Sequence, residues 1–429
     1  MKNLLLVIFG KLAVLFSQTF NLGNGSTWPG HIALQTNPHF IKNILKNSST
    51  TIIMIAGTNG KTTTTSLIRH ALEEANKTVF QNEAGANLLN GIASSLITAS
   101  NFQGKITQDF ALFEVDESAL PLLLTEIKPH YLILLNLFRD QLDRYGEVHT
   151  IAKKWKEAIG KLPSATALLL NADDPEIAYL GLHKQNIQAR YFGLQDAQFS
   201  THTRQHAADS IYCPRCGEKL FFKAVSFAHL GDWSCKNCDL KRPPIASETF
   251  IIYPLSGLYN KYNVLAASSV LKHIGLTDEE IKHAFTSFKP AFGRQEILSY
   301  KNKRVQIFLS KNPTSFNQSY QAIQELSGKN LLIVLNDRIP DGLDVSWIWD
   351  TELPNIQQFR HILLSGDRVH DMALRIKYEE FQGFQTFEHL EDAIETGIDL
   401  TKQDETLFIL PTYSAMLDVR KILTGRKIL

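Results

Sequence analysis

The chain has 429 residues, and its 44 lysines and arginines nearly balance its 43 aspartates and glutamates, which leaves a formal net charge of +1. Overall charge therefore gives no reason to expect binding to nucleic acid or to an anionic membrane, and either function would need a local patch. The length predicts two or three domains, and a hydrophobic content of 44% excludes a disordered, collagen-like or low-complexity chain. All four cysteines lie between residues 213 and 238, so they form one local feature and not the framework of a secreted disulfide scaffold.

The first predicted element is an N-terminal helix. Residues 1–9 resemble a signal peptide, but Lys11 interrupts the apolar run and no clean cleavage site follows. We therefore predict an amphipathic helix in a cytoplasmic protein, either packed on the body or touching a membrane surface, such as the inner face of the plasma membrane. No other stretch approaches the ~18 apolar residues of a membrane span. With the turn-rich connector at residues 21–30, this helix makes up a predicted N-terminal segment, residues 1–44.

From Thr51 onward, short β-branched runs alternate with helical segments, which is typical of a mostly parallel sheet with helices on both faces. We assign this series to a central domain, residues 45–292, in which residues 205–245 form an insertion. The predicted strands are Thr51–Ala56, Phe110–Val115, Tyr131–Leu137, Ala167–Asn171 and Thr249–Tyr253, and the predicted helices are Thr62–Ala75 and Asn263–Ile274.

A second alternating series follows Pro290 and predicts a smaller doubly wound α/β domain, residues 293–429. Trp347 and Trp349 alternate as they would on a strand, either in the core or at an interface. The predicted strands are Val305–Leu309, Leu331–Leu335, His361–Leu364 and Thr406–Leu410, and the helices lie near Gln318–Leu326, Asp371–Tyr378, Leu390–Leu400 and Ser414–Leu423.

A phosphate-binding loop is predicted where the first strand of the central domain meets its helix. A glycine turn at a helix N-terminus directs several backbone N–H groups and the positive end of the helix dipole at one point, which suits a polyphosphate. Lys61 would neutralise the β- and γ-phosphate oxygens, and the Thr62 hydroxyl would hold Mg²⁺. The alternative is an ordinary strand-to-helix turn. The loop residues are Gly57, Thr58, Asn59, Gly60, Lys61, Thr62 and Thr63.

Carboxylates follow at the end of the strand that begins at Phe110. In a doubly wound sheet the carboxyl ends of the strands form the ligand-binding edge, where a carboxylate can hold Mg²⁺. We expect Glu114 and Glu117 to do so ahead of Asp116. Without a phosphate loop nearby, this run would be read as a solvated acidic turn.

The four cysteines form two Cys-x-x-Cys pairs, Cys213 with Cys216 and Cys235 with Cys238. Two such pairs can hold one tetrahedral ion, so we predict a structural zinc ribbon. Disulfides and a redox pair are alternatives. Nearby basic and aromatic side chains leave nucleic-acid binding open, although they also suit a small metal module that covers itself, and we predict no nucleic-acid partner.

These motifs resemble the Mur ligase superfamily from about residue 45 to the end of the chain. The phosphate loop has the family's compact Gly-Thr-Asn-Gly-Lys-Thr form, and residues 136–146 and 171–174 resemble its next two landmarks. The resemblance implies that Asn260 and Asn263 bind on the adenine side of ATP, and that Arg294, in the sequence Gly-Arg-Gln-Glu, approaches the γ-phosphate.

Within the superfamily the details are most similar to the MurT family of lipid II isoglutaminyl synthase subunits. The four-cysteine insertion, the sequence Phe-Arg-Asp-Gln-Leu-Asp-Arg-Tyr-Gly and the Asp-Val-Ser-Trp segment are all present. The resemblance implies a Mur ligase-like central P-loop domain with a parallel sheet and a zinc-ribbon insertion, followed by a C-terminal Rossmann-like α/β domain. Ordinary Mur ligases have a metal-binding histidine where this chain has Gln141, and a carbamylated lysine near Lys153 and Lys156, so a second metal site is in doubt.

The resemblance implies ATP- and Mg²⁺-dependent amidation of the D-glutamate α-carboxyl of the lipid II stem peptide, through an acyl phosphate, in peptidoglycan biosynthesis. Lys61, Glu114 and Asp344 are the implied catalytic residues, with Asp344 reaching into the active site of a GatD-like glutaminase in a heterodimer. Asp341 and Asp350 are alternatives to Asp344, and turn capping is a structural alternative for all three. Two other functions stay open: a Mur- or folylpolyglutamate-type amino-acid ligase without a partner, and a non-enzymatic ATP-binding module.

Overall fold

The computed structural model describes residues 2–19, 27–46, 48–82, 85–139, 148–182, 188–195, 208–245, 252–290 and 293–425. The chain begins with three helices, α1 (Lys2–Thr19), α2 (Trp28–Thr36) and α3 (Phe40–Leu45). Within these ranges, no helix combines the length and the apolar character that crossing a membrane requires.

The first sheet has six parallel strands in the order β2-β3-β1-β4-β5-β6. Its strands are β1 (Thr51–Ala56), β2 (Val79–Gln81), β3 (Phe110–Val115), β4 (Tyr131–Leu134), β5 (Ala167–Asn171) and β6 (Ala189–Phe192). Its helices are α4 (Lys61–Glu74), α5 (Leu89–Ala99), α6 (Leu120–Glu126), α7 (Val148–Ile159), α8 (Pro175–Leu182), α9 (Leu258–Ile274) and α10 (Asp278–Ser287).

Apolar cores cover both faces of this sheet, as predicted. Met54 and Phe113 pack in a core with α1, α5, α6 and α7, whereas Ile53 and Leu112 face α4, α9 and α10. Alternate residues of one strand therefore serve opposite cores, which explains why the central strands read as continuous apolar runs. The predicted strand from Tyr131 ends at Leu134, earlier than expected. The predicted strand at 249–253 falls partly outside the described residues, and Ile252 and Tyr253 are not in a strand.

The cysteine insertion contains an antiparallel hairpin, β7 (Phe221–Phe227) and β8 (Leu230–Ser234). Backbone bridges join Tyr212 to Lys219 and Ser234 to Lys241, so each cysteine pair lies in a turn at the open end of this hairpin.

The second sheet has the order β13-β12-β11-β14-β10-β9, with β9 antiparallel to β10 and the other pairs parallel. Its strands are β9 (Arg294–Tyr300), β10 (Lys303–Phe308), β11 (Asn330–Val334), β12 (His361–Ser365), β13 (Gln385–Thr386) and β14 (Thr406–Pro411). Its helices are α11 (Pro313–Glu325), α12 (Val369–Tyr378), α13 (Leu390–Leu400) and α14 (Tyr413–Thr424). The α/β fold class is confirmed, and the exact domain boundaries stay a prediction.

The segment around Trp347 and Trp349 is not a strand. Residues Ser346–Asp350 form a 3₁₀ helix, and the Asp344 carboxylate accepts a hydrogen bond from the Ser346 N–H at its start (2.8 Å). Trp347 packs edge-on against Phe316 (6.1 Å between ring centroids), while Trp349 is largely exposed. Local side-chain capping by aspartate favours a helical turn here and overrides the alternation of the tryptophans.

Candidate active site and cysteine cluster

The phosphate loop runs from β1 into α4, and two glycines give it its shape. Gly60 has φ +91°, and a Cβ at this position would lie 2.0 Å from Asn263 Oδ1, so no other residue fits without displacing Asn263. Asn136, after β4, fixes the loop through two hydrogen bonds. Its side chain accepts from the Asn59 N–H (2.9 Å) and donates to the Asn59 carbonyl (3.0 Å). The Asn59 Nδ2 is a buried donor with no partner among the described residues, as expected for a group that faces a ligand anion.

Lys61 is the first residue of α4, and its side chain is only 7% exposed. Its ammonium donates to the carbonyls of Gly57 (2.5 Å) and Thr58 (3.3 Å) and forms an ion pair with Glu117 (3.1 Å). A buried cation needs partners of this kind to offset its desolvation. The loop therefore presents a fully ordered positive charge next to its backbone N–H groups.

Thr62 and Glu114 form the second polar pair of the loop. The Thr62 hydroxyl lies 2.9 and 2.8 Å from the two carboxylate oxygens of Glu114, which is buried at the end of β3. Asn82, after β2, fixes the backbone of Glu114 by accepting from its N–H (2.8 Å) and donating to its carbonyl (2.9 Å). A hydroxyl beside a carboxylate is an oxygen donor set that suits Mg²⁺. Asp116 instead caps the following turn by accepting from the Ser118 N–H and hydroxyl.

A cavity opens beside the loop, between the two sheets. The loop, the sequence-predicted Asn260, Asn263 and Arg294, and residues of the second domain all line it. Asn260 and Asn263 are joined by a hydrogen bond (3.1 Å) near the start of α9. The structure thus brings together the predicted loop, carboxylate, asparagine and arginine residues.

Residues that sequence reasoning missed join the two domains around this cavity. Gln295, in the left-handed region at φ +62°, donates to the Ser256 carbonyl (2.6 Å) and accepts from the Ser256 N–H (3.0 Å). Asn312 of the second domain donates to Asn59 Oδ1 of the first (3.3 Å). The polar pattern Lys311-Asn312-Pro313 was visible in the sequence, but only the fold puts it opposite the phosphate loop.

The four cysteine sulfurs lie within 4.8 Å of one another. The pairs Cys213 with Cys238 and Cys216 with Cys235 are each separated by 3.5 Å. Four sulfur ligands at about 2.3 Å from a tetrahedral zinc ion would be about 3.8 Å apart, so this set fits zinc. A disulfide has about 2.0 Å between its sulfurs, so neither of these pairs is disulfide-bonded. Burial raises the pKa of the Cys213 thiol to about 12, and a hydrogen bond from the Asn237 side chain lowers that of Cys216 to about 6.

The tip of the cysteine hairpin reaches the cavity. Phe227, the last residue of β7, lines the cavity and stacks on Phe138 with 6.0 Å between centroids. His229 is fully buried and contacts Asp174 (3.4 Å), while the indole of Trp233 donates to the Ala172 carbonyl (3.0 Å). The insertion is therefore docked on the end of β5 and forms part of the cavity wall.

The three C-terminal aspartates have different environments. Asp341 is buried and accepts from Ser414, and burial raises its pKa. Asp350 lies 3.4 Å from Arg139 of the first domain. Asp344 is exposed, does not line the cavity, and has its pKa lowered by the hydrogen bond from Ser346. Of the three, Asp344 offers its carboxylate most freely to an outside group.

The second metal site gains no support from the lysines proposed for it. Gln141 lies outside the described residues. Lys153 is exposed on α7, and the Lys156 ammonium lies 4.9 Å from the ring centroid of Tyr179.

Residues 55–271 match the model of the Mur ligase middle domain, and residues 309–416 match that of the MurT ligase C-terminal domain. The chain is 33% identical to the MurT subunit of the lipid II isoglutaminyl synthase of Streptococcus pneumoniae, over 95% of this chain and 94% of that protein. The chain belongs to the MurT family. The Staphylococcus aureus MurT subunit is also 33% identical, over 83% of this chain and 84% of that protein.

Solved structures of other Mur-type ligases share the MurT fold at low identity. A pseudomurein peptide ligase from Methanothermus fervidus superposes with a TM-score of 0.65 at 20% identity, covering 90% of this chain and 81% of its own. MurF from Thermotoga maritima in complex with ADP superposes with a TM-score of 0.62 at 14% identity, covering 91% of this chain and 82% of its own. The predicted family resemblance is thus confirmed, as are the α/β architecture and the ligase class.

Proposed function

We propose that this chain is the ATP-using subunit of a lipid II isoglutaminyl synthase, which amidates the α-carboxyl of D-glutamate in the stem peptide during peptidoglycan synthesis. The proposal is carried by the 33% identity to two MurT subunits of lipid II isoglutaminyl synthase, and the match of residues 309–416 to the MurT C-terminal domain supports it. The phosphate loop and its two carboxylates support an ATP-dependent reaction. We place the reaction on the cytoplasmic side of the membrane that carries lipid II.

The chemistry has two steps. A carboxylate oxygen of D-glutamate attacks the γ-phosphorus of ATP, the bond to the β-bridging oxygen breaks, and ADP leaves with that electron pair. Ammonia then attacks the acyl carbon, the bond to the phosphate oxygen breaks, and the nitrogen loses a proton to give the amide. Lys61 and Arg294 stabilise negative charge on the transferring phosphoryl group, and the loop N–H groups, Asn260 and Asn263 orient the nucleotide. Thr62, Glu114 and Glu117 would hold Mg²⁺, which neutralises phosphate charge when bound.

Ammonia would come from a GatD-like glutaminase that forms a heterodimer with this chain. A glutaminase of this kind needs a cysteine nucleophile, and all four cysteines of the sequence are in the one cluster. Cys213, Cys216, Cys235 and Cys238 would hold zinc as a closed structural site. The alternative, an amino-acid ligase without a partner, agrees with the fold but leaves the exposed Asp344 segment without a role.

Reconstitution with a GatD-like glutaminase, glutamine, Mg-ATP and lipid II tests the proposal. We expect phosphate release and conversion of the D-glutamate acid to an amide, detected by mass spectrometry. Lys61→Ala should reduce turnover at least a hundredfold, because removing one transition-state charge partner typically costs ~10² or more in rate. Lys282→Ala, at an exposed position on α10, serves as the matched control and should retain activity. Transfer of an amino acid in place of ammonia would refute the proposal.

A further inference from the structure

Helix α1 packs on the protein through only one of its faces. Val7 is fully buried, and Gly10 sits so close to α5 that a Cβ there would lie 2.7 Å from Ile97 Cγ2. Lys11 reaches back from the edge of this face and donates to the Thr98 carbonyl (2.8 Å). The helix is therefore held in a fixed orientation on α5, and its opposite face points away from the body.

That opposite face is made of large apolar side chains, which we name the α1 apolar face. At 100° per residue its members fall on one side of the helix, and none is a polar residue. They are 36% to 63% exposed: Leu4, Leu5, Phe9, Leu12 and Leu15. Phe102 extends the patch, because it is 74% exposed and its ring lies 5.8 Å from the Lys11 ammonium. Contiguous exposed apolar surface of this kind marks an interaction site.

The surrounding charge is positive, although the whole chain is nearly neutral. The first acidic residue of the sequence is Glu73, whereas lysines occur at positions 2, 11, 42 and 46. Lys42 on α3 and Lys46 directly after it are exposed, and α3 packs with α1 and α5 in one core. Glu126, the carboxylate that contacts α3, is paired with His39 (2.9 Å) and mostly buried. This end of the molecule thus combines an apolar face with several lysines.

We propose that the α1 apolar face lies in the surface of an anionic lipid bilayer, with the helix parallel to the membrane plane. An apolar face flanked by lysines is the pattern of interfacial helices, in which apolar burial and attraction to anionic headgroups act together. A second copy of the chain is a poorer occupant, because a symmetric contact would bring the lysines of both copies together. The inference rests on the proposed function, in which the substrate is lipid-linked and the active site must work close to a membrane.

Sedimentation with vesicles tests the inference without any enzymatic readout. The full chain is mixed with vesicles of phosphatidylglycerol and phosphatidylcholine, or of phosphatidylcholine alone. We expect binding to the anionic vesicles that weakens at high salt, and at least a tenfold loss for Leu5→Ser/Leu12→Ser. The control, Leu122→Ser/Leu182→Ser, removes two exposed leucines from α6 and α8 and should bind as the unmodified chain does.

Equal vesicle binding by the two double variants, or no binding by the unmodified chain, would overturn the inference. A dimer, or a glutaminase complex, that Leu5→Ser/Leu12→Ser dissociates would also overturn it, because protein would then cover the face. Amidation of lipid II in vesicles and of a lipid-free muropeptide separates this inference from the proposed function. If the chain binds vesicles but amidates neither substrate, the membrane inference stands and the proposed function is refuted. If it amidates lipid II but does not bind vesicles, the proposed function stands and the membrane inference is refuted.

Discussion

Lys61 places a positive charge in a buried position of the phosphate loop. Three acceptors hold its ammonium, namely two loop carbonyls and Glu117. Removing one partner of such a buried pair leaves an uncompensated charge. Because Glu117 and a phosphate would compete for the same ammonium, nucleotide binding is expected to loosen this ion pair and free Glu117 to act on the metal side of the site.

Gln318 of α11 has a polar side chain whose amide forms no hydrogen bond with the described residues. It is buried, lines the cavity, and neither its Oε1 nor its Nε2 has a partner among the described residues. A buried amide without partners costs free energy unless a ligand satisfies it. An amide can donate to one ring nitrogen of adenine and accept from its amino group, so Gln318 has the chemistry to read the base.

We predict that Gln318→Leu weakens ATP binding about tenfold, which corresponds to about 1.4 kcal/mol. The preference for ATP over GTP should fall at the same time, because guanine has a carbonyl oxygen at C6, where adenine has the amino group that Oε1 would accept from. Nucleotide titration calorimetry gives both numbers. Gln321→Leu, an exposed position on the same helix, is the control. Unchanged discrimination between the two nucleotides would contradict this role for Gln318.

At the scale of elements, the cysteine hairpin is attached to the domain by more than its two ends. Gly231 donates to the Asp173 carbonyl (3.0 Å), and Arg242 forms an ion pair with the Asp173 carboxylate (2.6 Å). Burial raises the pKa of Asp173 despite Arg242 and Tyr262. The hairpin tip is thus positioned on the end of β5, and its open end would be joined by the metal.

Zinc removal is therefore expected to weaken nucleotide binding at a distance from the cysteines. Chelation should loosen the hairpin, expose Trp233 and shift its fluorescence to longer wavelength, and raise the dissociation constant for ATP about tenfold. Phe227→Ala should reproduce the loss of affinity while zinc stays bound, because Phe227 forms the wall of the cavity.

The matched control is Phe221→Ala on the same strand. Phe221 is exposed and contacts Lys236 (4.6 Å from its ring centroid), away from the cavity. Phe221→Ala should leave ATP affinity unchanged. If chelation removes zinc and ATP binding stays the same, the hairpin does not support the cavity.

The sequence predicts elements best where burial decides them. Strands β1, β3 and β5 begin and end at the predicted residues because apolar runs fill both sheet faces. Prediction was wrong at Trp347 and Trp349, where capping by Asp344 decides the structure. Helix α9 begins at Leu258, before the expected Asn263, because the positive φ of Gly257 allows the turn that starts it.

At the scale of the whole molecule, both domains contribute to the candidate active site. Asn312 reaches Asn59, Gln295 holds Ser256, and Arg139 lies beside Asp350. The sequence predicts the phosphate loop and the cysteine pairs because their residues are close in the chain. It could not predict that Asn82 holds Glu114, that Asn312 meets Asn59 or that Phe227 lines the cavity, because the partners in each case are far apart in the chain.

The role proposed for Asp344 depends on a second protein. We predict that Asp344→Asn lowers glutamine-driven amidation at least tenfold and leaves ammonium-driven amidation unchanged. Asparagine can still accept the hydrogen bond from Ser346, so the variant removes the charge and keeps the turn. Both rates are measured in the reconstituted complex.

Asp404→Asn, another exposed carboxylate of the second domain, is the control for this experiment. Asp341→Asn should instead lower the melting temperature, since Asp341 is buried against Ser414. An equal loss of glutamine- and ammonium-driven activity in Asp344→Asn would mean that Asp344 acts on the ligase reaction and not on the partner.

The large sequence separation between Asn59 and Asn312 also has a consequence for the order in which the chain is translated and folds. These contacting residues are 253 positions apart, so a ribosome has synthesised the whole first sheet and the cysteine hairpin before the second wall of the cavity exists. Zinc can bind as soon as Cys238 has emerged, whereas ATP has no complete pocket until α11 follows. Nucleotide can therefore stabilise the chain only after α11 has been made, whereas a metal held by the four cysteines could stabilise it earlier.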